Sequence, residues 1–343
     1  MINLINPVRA ADPMPNFTMA KSRLREGWAV NVALDLNVIA KMERCVFDHS
    51  TPAQEGLSNF IELVPDGGVV LVPGFAILEV SAEFSARARA GYEAFISQHL
   101  PSYVDTPGTT YSLHRDQQQT RHYDDAPRAK RLTISRTYIA MLLLLIVSEQ
   151  ANLSPEDKFG LFIDRMAKSA GVIGILEARA AQFVLFDRSK VPSGPWSQFC
   201  RPIRANFLKS RGSREKVRLN AFNQAHDLNL IRAATSAHGV IENRLRNDYW
   251  VAADDQGLSN LCSTFRFSLG EDGFYDGRFV FVDNMFDELV APGYWETTNN
   301  LLQGRHIRRE EERRSGISHE LDYDQLEASV EFLHREIETC FQP

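Results

Sequence analysis

The feature that most constrains the fold is the alternation of short apolar segments and helical patterns near the start of the chain. Residues 29–36 (AVNVALDL) predict a buried strand that ends in a carboxylate, and residues 37–48 predict the helix that follows it. A second strand is predicted at 69–72, where Pro73-Gly74 ends it, and a helical pattern runs from about residue 75 to residue 99. Strands that alternate with helices favour a parallel α/β sheet.

The middle of the chain is predicted to be mainly helical. Residues 101–127 lack apolar periodicity and predict a loop or linker, and residues 187–214 are irregular and basic. The run from Tyr138 to Val147 (YIAMLLLLIV) is about half the length that a bilayer requires. It therefore predicts a buried helix and not a membrane span.

Two further strands and a final helix are predicted in the last third of the chain. Residues 249–253 (YWVAA) are typical of a strand and are followed by Asp254-Asp255, and residues 279–282 resemble another strand. Residues 323–340 predict the final helix. Residues 1–28 begin polar and rich in Pro and Met, which predicts a loosely held N-terminal arm.

Composition excludes some classes of protein. Hydrophobic residues make up 44% and charged residues 24%, as in ordinary soluble proteins. The 38 basic and 44 acidic residues give a net charge of −6, which excludes a uniformly basic nucleic-acid coat protein but leaves room for a local basic patch. The four Cys form no CxxC pair, and the first residues do not resemble a signal peptide, so we expect reduced thiols in the cytoplasm.

Asp35 and Glu79 are the first candidate functional carboxylates. Asp35 ends the first predicted strand, and ligands of open parallel sheets bind beyond the carboxyl ends of the strands. Its alternative role is to cap the next helix. Glu79 falls within the apolar stripe of its predicted helix, where a carboxylate needs a partner or a metal. A structural salt bridge to an Arg is the alternative for Glu79.

Asp227, Asp254 and Asp255 form the second candidate group. Asp227 lies in a helical segment that leads to the predicted strand 249–253, and that strand ends at Asp254 and Asp255. Each acid alone is also compatible with a capping or solvated position. Clustered carboxylates repel one another unless a cation neutralises them, and oxygen ligands without a Cys/His set favour Mg²⁺ or Mn²⁺ over Zn²⁺.

These segments resemble the PIN-domain nucleases. The resemblance is carried by LDLNVI (34–39), VPGFAILEVS (72–81), HDLNLIRAA (226–234) and WVAADDQGL (250–258). It covers roughly a third of the chain, and the spacing of 148 residues from Glu79 to Asp227 exceeds the usual spacing. The fourth acid of the family follows a strand and has an apolar residue three places on. Asp255 is preferred for this position because Leu258 lies three residues after it, but Asp254 follows the strand more directly.

The resemblance implies a PIN-like three-layer fold with a central, mainly parallel sheet and a helical insertion. The implied domains are the arm 1–28, a nuclease core of 29–100 and 215–283, a mainly helical insertion 101–214 and a C-terminal extension 284–343. The implied activity is metal-dependent hydrolysis of phosphodiester bonds, most often in RNA. A toxin-like or phage-defence role would follow by analogy.

The resemblance also implies the residues of the active site. The metal-binding and catalytic set is Asp35, Glu79, Asp227, Asp255 and Asp254, with Mg²⁺ or Mn²⁺ as cofactor. Asn37 would orient Asp35 or the attacking water. His226, which precedes Asp227, is interpreted as a core or supporting His and not as a catalytic one.

The nucleic-acid contact is predicted in the stretch 201–218, which leads into the helix of Asp227. Its seven basic residues oppose the single acid Glu215. They are Arg201, Arg204, Lys209, Arg211, Arg214, Lys216 and Arg218. A solvated helix face is the alternative. A second basic stretch at 128–136 is expected to lie along the apolar helix, and the run 305–314 is expected to be a solvated helix face.

Two other functions remain open from the sequence. A non-catalytic PIN-like scaffold or binding protein is compatible with the long insertion and with the absence of a hydroxyl residue before Asp254. A structure-specific DNA nuclease would use the same carboxylate chemistry on single-stranded or structured DNA. A homodimer and an inhibitor or partner protein are candidate partners. An Asp-x-Asp phosphatase is disfavoured because position 37 is Asn.

Overall fold

The computed structural model describes residues 1–8, 16–74, 76, 82–103, 122–187, 194–208, 213–242, 245–269, 275–281 and 292–341. The chain forms two compact units. The first consists of residues 1–121 and 230–282, and the second of residues 122–229 and 283–343. Helices and strands both contribute, which confirms the predicted α/β class.

The first unit contains a sheet in which the central strands are parallel. Its strands are β1 (Asn3–Ile5), β2 (Ala29–Leu34), β3 (Val69–Val72), β4 (Ile241–Glu242) and β5 (Leu245–Ala253). The order is β1-β5-β2-β3, and β4 pairs with β5 beside this path. Strand β2 runs parallel to both β3 and β5, whereas β1 runs antiparallel to β5. A separate hairpin is formed by β6 (Phe265–Leu269) and β7 (Tyr275–Phe281).

Helices of the first unit follow the strands. They are α1 (Phe17–Arg25), α2 (Leu36–Phe47), α3 (Ser58–Leu63), α4 (Ala82–His99) and α10 (Gln256–Ser263). The apolar residues Val30, Val32 and Leu34 alternate along β2 and share a core with Ile39 of α2. Ala33, which points to the opposite face, is also fully buried. Both faces of β2 are therefore covered, as is usual for parallel strands.

The structure corrects the prediction of an N-terminal arm. Residues 3–5 form the edge strand β1, and Leu4 is buried in the core of the sheet. The segment 17–25 forms α1. A strand of three residues gives almost no periodic signal, so its position is determined by pairing with β5, which is distant in the chain.

The second unit is helical in its described residues. Its helices are α5 (Arg128–Ser148), α6 (Pro155–Ser169), α7 (Ile175–Leu185), α8 (Pro195–Phe207), α11 (Pro292–Arg314) and α12 (Tyr323–Cys340). Helix α9 (Arg214–Ala237) begins in this unit and ends in the first. Helix α8 corrects the expectation of irregular structure at 187–214, and its start at Gly194-Pro195 is a usual helix-start signal.

Helix α5 is the buried helix that the sequence predicts. Within the described chain it is the single helix long and apolar enough to cross a membrane, but 72% of its apolar window is buried against the protein. Residues 138–147 are all buried. Helix α12 packs against α5. The burial of α5 agrees with its interpretation as a buried core helix.

All four Cys are free thiols, and Cys340 is the exposed one. Burial is the main cause that raises the pKa of the Cys262 thiol, and the charge of Asp255 adds to it. A thiol that is held protonated is a poor nucleophile, so Cys262 serves as a packing residue.

Candidate active site at the carboxyl ends of the parallel strands

Parallel pairing brings three predicted acids to one edge of the sheet. In the register of β2 and β5, Leu34 lies opposite Ala252. The backbone N–H of Asp35, the next residue, donates a 3.0 Å hydrogen bond to the carbonyl of Ala252. Asp254 and Asp255 directly follow β5 at the same edge. The carboxyl edge of β2 and β5 is therefore acidic, in the place where open α/β sheets bind ligands.

Asp35 occupies the N-cap position of α2. Its carbonyl accepts the first helical hydrogen bonds, from Val38 and Ile39, at 3.0 and 3.3 Å. The side chain is only 5% exposed. One carboxylate oxygen accepts a 2.9 Å hydrogen bond from the Asn37 amide. The Asn37 amide thus orients the Asp35 carboxylate.

The surroundings of Asp35 disfavour its negative charge. Burial is the main cause that raises the pKa of the Asp35 carboxyl, and the negative charge of Asp255 raises it further. The Asn37 side chain and the backbone N–H groups of Leu36 and Asn37 act in the opposite direction without reversing the shift. A cation placed beside Asp35 and Asp255 would relieve this unfavourable environment.

Asp254 and Asp255 have different partners. Asp254 forms a 3.0 Å ion pair with the ammonium group of Lys41 on α2, which also donates to the Glu55 carbonyl. Asp255 caps α10 by accepting a 2.9 Å hydrogen bond from the Leu258 N–H. Asp254 therefore has a basic partner, whereas Asp255 interacts with the like charge of Asp35.

Neither Asp35 nor Asp255 forms an ion pair within the described part of the chain. Both keep carboxylate lone pairs beyond the hydrogen bonds described above, since an ionised carboxylate offers about four acceptor sites. These two acids are the ones whose charges a bound cation would neutralise. Lys41 is not among the predicted site residues, although its position four residues after Asn37 places it on the same side of α2.

Two other predicted ligands, Glu79 and Asp227, remain predictions from the sequence. Glu79 lies outside the described residues. Asp227 is half-buried on α9, within the second unit. Its neighbour His226 is in edge contact with the Phe222 ring, and burial lowers the pKa of the His226 imidazole to about 3. A His that remains neutral and packed in this way is poorly suited to general-base catalysis near pH 7.

The predicted nucleic-acid stretch has divided roles. Arg204 donates to the carbonyls of Phe183 and Phe186 at the end of α7, so it stabilises the helical unit. Arg214 donates to the Phe341 carbonyl, and Arg218 pairs with Glu338. Arg201 and Lys216 are exposed, whereas Lys209 and Arg211 lie outside the described residues.

Comparisons with known proteins add no support to the PIN resemblance, which is based on the sequence motifs alone. The chain matches no protein-family model, no curated protein and no solved structure. In the described residues, no group of three or more His, Cys, Asp or Glu side chains is arranged to hold a metal ion. The pair Asp35 and Asp255 is therefore the part of the predicted site that the structure describes in detail.

Proposed function

We propose that the chain is a metal-dependent nuclease with a PIN-like core that hydrolyses phosphodiester bonds of RNA. The observation that carries this proposal is the pair of interacting carboxylates, Asp35 and Asp255, at the carboxyl ends of adjacent parallel strands. Neither acid has a basic partner among the described side chains. The same order of a strand-end Asp, an Asn two residues later and a second strand-end acid supports the PIN resemblance.

The donor chemistry at this edge fits Mg²⁺ or Mn²⁺. Carboxylate oxygens are the ligands that these hard cations prefer. Asp35 and Asp255 would hold the ion, and Asp254, Glu79 and Asp227 are proposed as further ligands or neighbours of it. When bound, such an ion would activate water and offset charge that develops on the phosphoryl group.

The protein's own side chains prepare this edge for a phosphodiester. The Asn37 amide donates to one oxygen of Asp35, and the Leu258 N–H donates to one oxygen of Asp255, so both carboxylates are oriented by the protein. Lys41 neutralises Asp254 and reduces the negative charge that an approaching phosphate would meet. Fixed donors and charges of this kind lower the reorganisation that the reaction requires.

A cleavage panel tests the proposal. Labelled single-stranded RNA, single-stranded DNA and flap DNA are incubated with the full chain in Mn²⁺, in Mg²⁺ and in EDTA. We expect RNA cleavage that requires the metal and that Asp35→Asn abolishes. Asp48→Asn is the matched control, because Asp48 is exposed at the other end of the same helix.

The other outcomes would each replace the proposal. Cleavage of flap DNA without cleavage of RNA would identify a DNA nuclease. Absence of cleavage on every substrate, together with no Mn²⁺ binding in calorimetry, would favour the non-catalytic scaffold. Cleavage in EDTA, or full activity of Asp35→Asn, would contradict the assigned site. A cytoplasmic location and a toxin-like or phage-defence role remain part of the proposal.

A further inference from the structure

A second charged site lies in the second unit, in a cavity of about 400 Å³ between α6 and α11. We call it the basic cavity and define it by its four cationic residues. They are Lys168 of α6 and Arg305, Arg308 and Arg309 of α11. The three Arg occupy positions i, i+3 and i+4, so they lie on one face of α11. Two helices thus direct positive charge into one cavity.

The carboxylates of the cavity neutralise only part of this charge. Asp164 lies 2.5 Å from Arg305, and Glu312 lies 2.9 Å from Arg308. Glu312 also lies 2.8 Å from the His319 ring. In the described part of the chain, Lys168 and Arg309 have no carboxylate within ion-pair distance. The cavity therefore carries an excess of positive charge.

Arg309 is the cation that most needs a counter-charge. It is half-buried, and its guanidinium group donates to the backbone carbonyl of Gly171. Burial is the main cause that lowers the pKa of Arg309, and the charge of Glu312 offsets part of this shift. A partly buried cation without a paired anion is costly. A bound anion would remove this cost.

The cavity wall beside Arg309 is closely packed. Gly171 has a φ of 67°, a conformation that favours glycine. A Cβ added at Gly171 would lie 2.6 Å from the His319 carbonyl oxygen, so the 319 segment sits directly against this turn. Arg309 is consequently held by a well-defined backbone and not by a solvated side chain alone. The run 305–314 lies in α11 with Arg308, Arg313 and Arg314 exposed, as expected of a solvated helix face, whereas Arg309 is half-buried.

We propose that the basic cavity binds backbone phosphates of single-stranded RNA. The choice of RNA as ligand rests on the proposed function, whereas the anionic chemistry rests on the cavity itself. Arg guanidinium groups match phosphate oxygens in pairs, and Lys adds a point charge. The cavity would complement the stretch 201–218, in which Arg204, Arg214 and Arg218 already have protein partners.

The test measures RNA binding separately from cleavage. Fluorescence anisotropy with labelled oligouridylate is recorded in EDTA, where the proposed nuclease is inactive, across a series of salt concentrations. The variant Lys168→Gln/Arg308→Gln removes two cavity charges. The control Arg313→Gln/Arg314→Gln removes the same charge from α11 at exposed residues that pair with Glu310 outside the cavity.

Counterion release gives the expected size of the effect. Each phosphate contact to a single strand contributes about 0.7 to the slope of log K against log salt, so losing two contacts lowers the slope by about 1.4. If the affinities converge near 1 M salt, binding at about 0.1 M salt falls roughly 25-fold. The control should keep the wild-type slope and lose less than about threefold in affinity.

Several results would overturn the inference. Equal losses in the cavity variant and the control would show a general charge effect. An unchanged slope in the cavity variant would show that RNA binds elsewhere, whatever the outcome of the cleavage panel. Binding of inorganic phosphate or a mononucleotide in calorimetry, without any RNA binding, would identify a small-anion site. Arg309→Gln, checked by its thermal melt, provides a further variant for which reduced RNA affinity is expected.

Discussion

Thermal stabilisation by Mn²⁺ should depend on Asp35. A ligand present at about 100 times its dissociation constant stabilises the folded state by about 2.7 kcal/mol. The first unit contains about 170 residues, for which the unfolding entropy is about 0.36 kcal/mol/K. The melting temperature of this unit should therefore rise by about 7 °C in the wild type. If Asp35→Asn weakens Mn²⁺ binding a hundredfold, the site is half-filled at the same Mn²⁺ concentration. The melting temperature of this variant should then rise by only about 1 °C on addition of Mn²⁺.

Differential scanning calorimetry measures this effect directly. Wild type, Asp35→Asn and Asp48→Asn are scanned in EDTA and across a Mn²⁺ series. The control should shift like the wild type because Asp48 is exposed at the far end of α2. A full 7 °C shift in Asp35→Asn would refute the assignment of Asp35 as a ligand. A wild type with no shift up to millimolar Mn²⁺ would refute the metal site altogether.

Three further predictions concern stability. In EDTA at neutral pH, Asp35→Asn should melt at a higher temperature than the wild type. The folded state raises the pKa of the Asp35 carboxyl, so ionisation of this group opposes folding. In melts at different pH values, the difference in melting temperature should shrink as the pH falls through the raised pKa toward the ordinary value of 3.8, and it should disappear below that value. Asp248→Ala should lower the free energy of unfolding, measured in urea, by about 3–5 kcal/mol, because fully buried Asp248 forms a 3.0 Å ion pair with Arg23. A loss below about 1 kcal/mol would contradict a stabilising role of this ion pair. Ser154→Ala should lower it by about 1 kcal/mol, because Ser154 caps α6 by accepting from the Asp157 N–H; an unchanged urea midpoint would contradict that role.

Local sequence patterns were sufficient for the strands that form the candidate site. The runs at 29–36 and 69–72 are apolar, short and bounded by turn or charged residues, and the structure forms β2 and β3 there. Asp35 could be placed at a strand end because a buried strand and an amphipathic helix have different periods. The helix after β2 begins at Leu36, one residue before the predicted start.

Features that depend on distant parts of the chain could not be predicted in this way. The edge strand β1 exists because of its pairing with β5, and the ion pair of Lys41 with Asp254 joins residues from opposite ends of the first unit's sequence. The basic cavity likewise combines α6 with α11. The run 305–314 mixes basic and acidic residues, so its sequence does not show that Arg305, Arg308 and Arg309 lie on one face of α11.

The most direct test of the central claim is the single-turnover rate of RNA cleavage at saturating Mn²⁺ for wild type, Asp35→Asn and Asp48→Asn. Single-turnover conditions separate the chemical step from product release. We expect wild type and Asp48→Asn to cleave at similar rates, and Asp35→Asn to show no detectable cleavage. A wild-type rate in Asp35→Asn, or cleavage that persists in EDTA, would contradict a metal-dependent nuclease site at the carboxyl ends of β2 and β5.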